Sequence, residues 1–164
     1  MMNSGVLLDT SFFVRLLKEN DPLFENVNKF FRYFIKNDIK MYISTISIAE
    51  YCVKGQIDEL PLKNLFILPF NINHAKVAGE FAKVIYEKRK QDDKIILERP
   101  LVINDAKLFA QAHIENQISH YCSSDERSMK LYEILKSEIK PKLSFTFINI
   151  REPYNHVLGV LPID

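Results

Sequence analysis

Asp9, Glu50, Asp105 and Asp125 lie far apart in the chain, yet each stands where an apolar segment ends or a helix begins. Asp9 closes Val6-Leu7-Leu8, and Glu50 follows Ile46-Ser47-Ile48-Ala49. Asp105 follows Leu101-Val102-Ile103-Asn104, and Asp125 follows Tyr121-Cys122-Ser123-Ser124. A carboxylate desolvated at the edge of a core is costly unless it is paired, hydrogen-bonded or coordinated. No Lys or Arg lies within a few residues of all four. If the four converge, a hard divalent cation is the simplest partner, and such a site suits phosphodiester chemistry.

The elements that must position these acids alternate. Strand-like segments fall at 5–8, 40–44, 65–70 (broken by Pro69), 120–123 and 144–150. Helical periodicity falls at 11–20, 25–37, 46–55, 74–90, 103–116 and 126–138, with Asn73 expected to cap the fourth. Residues 91–100 read as a looser charged stretch and 151–164 as an irregular appendix. Strands separated by helices imply parallel pairing through right-handed crossovers. The expected fold class is α/β, a three-layer α/β/α sandwich around a five-stranded parallel sheet, built as one domain over 1–164 with its core at 5–150. Asp9 and Asp125 then fall at carboxyl ends of strands, the edge where such sheets bind ligands.

Each acid also has a plain reading. Asp9 and Asp125 suit helix N-caps, and Asp105 suits a cap or a first-turn dipole partner. Glu50 resists that reading. It shares a stripe with Ile46 and Val53, where no capping role exists, and Asp105 is in register with Leu108, Phe109 and Ala112.

Composition excludes several classes. Among 164 residues, 47% are hydrophobic, 26% are charged and 4 are Gly, as in an ordinary globule. The net charge of +1 argues against bulk nucleic-acid binding but leaves a local basic patch open. Cys52 and Cys122 lack metal-type spacing and read as reduced, buried residues of a cytoplasmic protein. No basic, apolar leader opens the chain, and no run approaches the roughly 20 apolar residues that span a bilayer. The four histidines are scattered without ligand spacing, and no Gly-rich phosphate loop is present. Phe12, Phe13, Phe24, Phe30, Phe31 and Phe34 exceed what one inner face is expected to hide. That leaves a homodimer or partner groove on one side, and simple coverage by helices on the other.

Leu7-Leu8-Asp9-Thr10-Ser11, Ser44-Thr45-Ile46-Ser47-Ile48-Ala49-Glu50, Asn104-Asp105-Ala106-Lys107-Leu108-Phe109-Ala110 and Ser123-Ser124-Asp125 resemble, in order, the four motifs of PIN domains. The nearest resemblance is to VapC-type toxins of toxin–antitoxin systems. It implies a Mg²⁺- or Mn²⁺-dependent endoribonuclease acting on RNA, a cognate antitoxin protein, and Asp9, Glu50, Asp105 and Asp125 as the acidic ligand set. Asp9 and Asp105 are expected to bind metal directly, and Asp125 and Glu50 directly or through water. The resemblance makes Ser123 the hydroxyl that accompanies the last acid, a position where Thr is more usual. Ser123 and Thr10 either orient a carboxylate or simply satisfy backbone groups. Within the basic cluster Lys83, Lys88, Arg89, Lys90 and Lys94, Lys88, Arg89 and Lys90 are candidate RNA contacts or a solvated helix end. The chain departs from the family in its extra length at 91–100 and after 151, and in Glu126-Arg127-Ser128-Met129 after the last acid. A non-catalytic PIN-like scaffold and a structure-specific DNA nuclease are the rival readings.

Overall fold

In a computed structural model describing residues 5–91 and 99–161, five strands form one all-parallel sheet in the order β3-β2-β1-β4-β5. The strands are β1 (Gly5–Leu8), β2 (Met41–Ser44), β3 (Leu65–Leu68), β4 (Ile118–Ser123) and β5 (Thr146–Asn149). Between them run α1 (Thr10–Leu16), α2 (Phe24–Lys36), α3 (Thr45–Tyr51), α4 (Ile72–Gln91), α5 (Arg99–Ile114) and α6 (Glu126–Glu138), and α7 (Tyr154–Leu158) follows β5. The strand order runs one way from β1 to β3 and the other way through β4 and β5. The sheet therefore reverses between β1 and β4, and a crevice opens beyond their carboxyl ends.

Alternation along β1 explains the layering. Leu7 joins Phe81, Ile85, Phe109 and Leu131 in a core beneath α4, α5 and α6. Val6 and Leu8 join Phe12, Phe13, Val27, Phe30 and Phe34 beneath α1, α2 and α7. Side chains of a strand point to opposite faces, so a strand covered on both sides must be apolar throughout. An aromatic group anchors the first layer. Phe109 of α5 meets Tyr121 of β4 edge-on at 5.1 Å and Phe145 at 5.7 Å, which fixes α5 against the strand one turn beyond Asp105.

Several boundaries differ from expectation. Helix α1 stops at Leu16 instead of residue 20, and the chain turns, with the Asp21 N–H donating to the Lys18 carbonyl at 2.9 Å. Asp21 then takes the Arg15 guanidinium at 2.6 Å and the Leu23 N–H at 2.9 Å. Strand β3 ends before Pro69, which has no N–H to donate. Helix α3 ends at Tyr51, so Val53 is off the helix and 77% exposed, and the stripe joining it to Glu50 does not exist. The cap of α4 is Asn71, not Asn73: Asn71 Oδ1 accepts from the Asn73 and His74 N–H groups at 3.0 and 3.1 Å. Cys52 is exposed, whereas Cys122 is buried as expected. Residues 92–98 of the expected charged stretch, Lys94 among them, lie outside the described residues.

The expected phenylalanine surplus is absorbed. Phe12, Phe13 and Phe30 are fully buried, Phe34 nearly so, and Phe24 and Phe31 half-buried. These side chains therefore give no support to a homodimer. The region after β5 is also not an irregular appendix. Asn26 of α2 donates to the Ile150 and Glu152 carbonyls at 2.9 and 2.8 Å and accepts from Tyr154 N–H at 3.0 Å, while Tyr154 packs edge-on against Phe30. Asn26→Ala removes all three bonds at once. It should cost about 1–3 kcal/mol in urea unfolding; an unchanged midpoint would show that α7 contributes nothing to the core.

Candidate active site

All four acids arrive at the crevice on different elements. Asp9 ends β1 and caps α1, and Asp125 follows β4 and caps α6, so both also serve the capping role open to them in the sequence. Glu50 is on the last turn of α3. Asp105 is in α5, which begins at Arg99; it lies beyond the first turn and cannot be a cap. The residue is 8% exposed, and its Oδ2 is buried without a hydrogen-bond partner.

Hydroxyls hold the other acids. Asp9 Oδ2 accepts from Ser11 Oγ at 2.7 Å and Ser123 Oγ at 2.8 Å, and Ser123 Oγ in turn accepts from Asp125 N–H at 3.0 Å. Ser11 Oγ also accepts from Ser124 N–H at 3.0 Å, which ties the start of α1 to the segment just past β4. Thr10 Oγ1 donates to Glu50 Oε2 at 2.6 Å and Asn104 Nδ2 to Glu50 Oε1 at 3.0 Å. Asp125 Oδ1 accepts from Arg127 N–H at 2.8 Å. Thr10 and Ser123 thus contact carboxylates directly. Ser11 and Asn104 do the same, although neither stood out in the sequence. Their only signal there was proximity to Asp9 and Asp105.

Electrostatics show that the acids share one field. Burial pushes the Asp105 carboxyl up to about 8, and the charges of Asp9, Asp125 and Glu50 push in the same direction. Burial also raises Glu50; Asp9 adds to that rise, while the bonds from Thr10 and Asn104 and the charge of Lys107 oppose it. Beneath them, fully buried Tyr121 has its hydroxyl raised by burial and by the charges of Asp9 and Asp105. The Ser128 hydroxyl lies within electrostatic reach of Asp105 and Tyr121. Among the described residues, Asp105 Oδ2 and the hydroxyls of Tyr121 and Ser128 nonetheless have no well-aligned hydrogen-bond partner.

Among the described residues, no three His, Cys, Asp or Glu side chains are arranged to hold a metal ion by themselves. The donor chemistry nonetheless fits a hard cation. Asp9 and Asp125 each accept hydrogen bonds on one oxygen, and Asp105 Oδ2 accepts none, so three aspartates keep an oxygen without a protein donor among the described residues. Oxygen ligands of this kind suit Mg²⁺ or Mn²⁺ with water completing the shell. Both oxygens of Glu50 are already engaged, which favours a link through water for that residue.

Of the candidate RNA contacts Lys88, Arg89 and Lys90, the first is placed by an ion pair. Lys88 pairs at 3.0 Å with Glu138, the last residue of α6, whereas Asp125 caps the first turn of the same helix. Thirteen helical residues span roughly 20 Å. Lys88 is therefore at the far end of α6 from the acids, as expected of a solvated helix end.

This fold has solved counterparts. VapBC2 from Rickettsia felis, solved bound to a DNA fragment from its promoter, is similar with a TM-score of 0.57 and 19% identity, covering 87% of this chain and 96% of that one. DNA-bound VapBC from Salmonella typhimurium is similar with a TM-score of 0.53 and 14% identity, over 88% and 98% of the two chains. The fold is that of a VapC-like PIN domain. No protein-family model and no curated protein matches the sequence. Within the PIN-like sandwich, the reversal between β1 and β4 brings Asp9 and Asp125 to one edge, and α3 and α5 carry Glu50 and Asp105 to it. No helix among the described residues is long and apolar enough to cross a membrane.

Proposed function

We propose that this chain is a Mg²⁺- or Mn²⁺-dependent endoribonuclease, the toxin of a toxin–antitoxin pair. The observation that carries the reading is Asp105: a buried carboxylate with an unpartnered oxygen, set in the field of three other acids. A scaffold gains nothing from that arrangement, whose repulsion works against folding. RNA as substrate and an antitoxin as partner rest on the motif resemblance and on the fold shared with the VapBC proteins.

Asp9, Asp105 and Asp125 would hold the cation through their free oxygens, with Asp9 oriented by Ser11 and Ser123 and Glu50 linked through water. When bound, the cation supplies Lewis-acid activation of a phosphoryl group and lowers the pKa of a bound water. Glu50 acts as general base. Its carboxylate oxygens keep lone pairs beyond the bonds from Thr10 and Asn104, and burial, which raises its pKa, makes it a stronger base than an exposed glutamate.

Purified protein should cleave single-stranded RNA internally with Mn²⁺ or Mg²⁺, stop with EDTA, and lose at least about 100-fold in rate as Glu50→Gln. Cleavage of DNA but not RNA would move the assignment to a DNA nuclease, and cleavage of neither would leave a binding scaffold.

A further inference from the structure

Beside the acids lies a cleft of opposite character. It has a volume of about 320 Å³ and is lined by Asp125 together with Ser11, Arg15, Ser124, Glu126, Arg127 and Arg151. Its three arginines come from α1, from α6 and from the segment just past β5, so only the fold brings them together. They are not equally committed. Arg15 is bound to Asp21 at 2.6 Å. Arg151 uses Nε to bond the Ser124 carbonyl at 2.7 Å, which pins its guanidinium at the crevice, and its nearest carboxylate, Glu126, is 4.0 Å away. Arg127 spends its backbone N–H on Asp125, while its guanidinium has no partner among the described residues. Two guanidinium groups therefore retain free donors at the border of the acid cluster.

An enzyme that draws a polyanion onto four carboxylates needs local cations to offset the repulsion. The guanidinium fork matches phosphate oxygens in pairs. We propose that this cleft is a phosphate subsite, in which Arg127 and Arg151 grip the backbone phosphate adjoining the scissile one. The proposal rests on the reading of the chain as a ribonuclease. It assigns strand positioning to residues spaced 24 apart in sequence, in place of the basic run at the end of α4.

The test uses a short fluorescein-labelled single-stranded RNA, followed by anisotropy across a salt series, together with steady-state cleavage. Arg127→Gln should weaken RNA binding about five- to tenfold and raise KM with little change in kcat. Combining it with Arg151→Gln should flatten the slope of log K against log salt by about 0.7, the value of one phosphate on a single strand. Lys136→Gln, near the other end of α6, should change neither. The Arg127 guanidinium has no hydrogen-bond or ion-pair partner among the described residues, and an unchanged melting temperature of Arg127→Gln separates its effect from loss of folding. Unchanged affinity and slope in Arg127→Gln and in the double variant, with a parent that cleaves RNA, would overturn the subsite and leave the nuclease reading intact. A parent that binds RNA with this arginine dependence but cleaves none would remove the nuclease reading and overturn the subsite's placement beside a scissile phosphate, leaving a plain RNA contact. A parent that does not bind RNA would overturn the subsite.

Discussion

Asp105→Asn should melt higher than the parent in metal-free buffer above pH 8, and the difference should shrink steadily with falling pH and vanish below the unfolded pKa of 3.8. The Asp105 pKa is raised by folding from 3.8 to about 8, so the folded state holds this proton more tightly than the unfolded chain does. Its contribution is fully present below the unfolded value and is lost as pH rises through the folded one. The parent should therefore weaken by something on the order of a few kcal/mol between pH 4 and pH 8. The amide of the variant carries no charge and removes that slope. Asp9→Asn should behave in the opposite way. Asp9 Oδ2 accepts from two hydroxyls and from the Ser11 N–H at 3.4 Å, and a neutral amide oxygen in its place is a weaker acceptor than the carboxylate. A cost of about 1–2 kcal/mol is expected at every pH. Parallel melting curves for the two variants would mean that the aspartates do not occupy distinct environments.

Divalent metal should reverse the parent's alkaline weakness. A cation that binds only the folded state, at about 100 times its Kd, stabilises by roughly 2.7 kcal/mol, or roughly 5–10 °C for a chain of this size. Asp105→Asn should lose most of that shift. So should Asp125→Asn, although its cap bond to Arg127 N–H can persist through the amide oxygen. Thermal melts with and without Mn²⁺ read the effect, and equal shifts in parent and Asp105→Asn would show that metal binds elsewhere.

The alternation of strands and helices was legible because the central strands β1 and β2 are buried throughout, which makes β1 an unbroken apolar run and β2 nearly one. Helix α6 was legible to its ends because Asp125 signals its start. Helix α5 was expected at 103–116 but runs from Arg99 to Ile114: its charged approach resembled a loop, although Pro100 is a residue that first turns accept. Glu50 was singled out for a stripe shared with Val53 that the structure lacks; what sets it apart is its bonds to Thr10 and Asn104. Helix α7 left no local signal, since it depends on Asn26, more than a hundred residues earlier. The arginines of the cleft were invisible for the same reason. Residues 15, 127 and 151 follow no period, and only the strand reversal between β1 and β4 makes them neighbours.

Anomalous diffraction from crystals soaked in Mn²⁺ tests most directly whether these acids form a cation site. The expected result is a peak within coordination distance of the oxygens of Asp9, Asp105 and Asp125, with Glu50 reached through water, and no such peak in Asp105→Asn. Crystals of active protein with no peak in the crevice, or with manganese only at other carboxylates, would contradict the account.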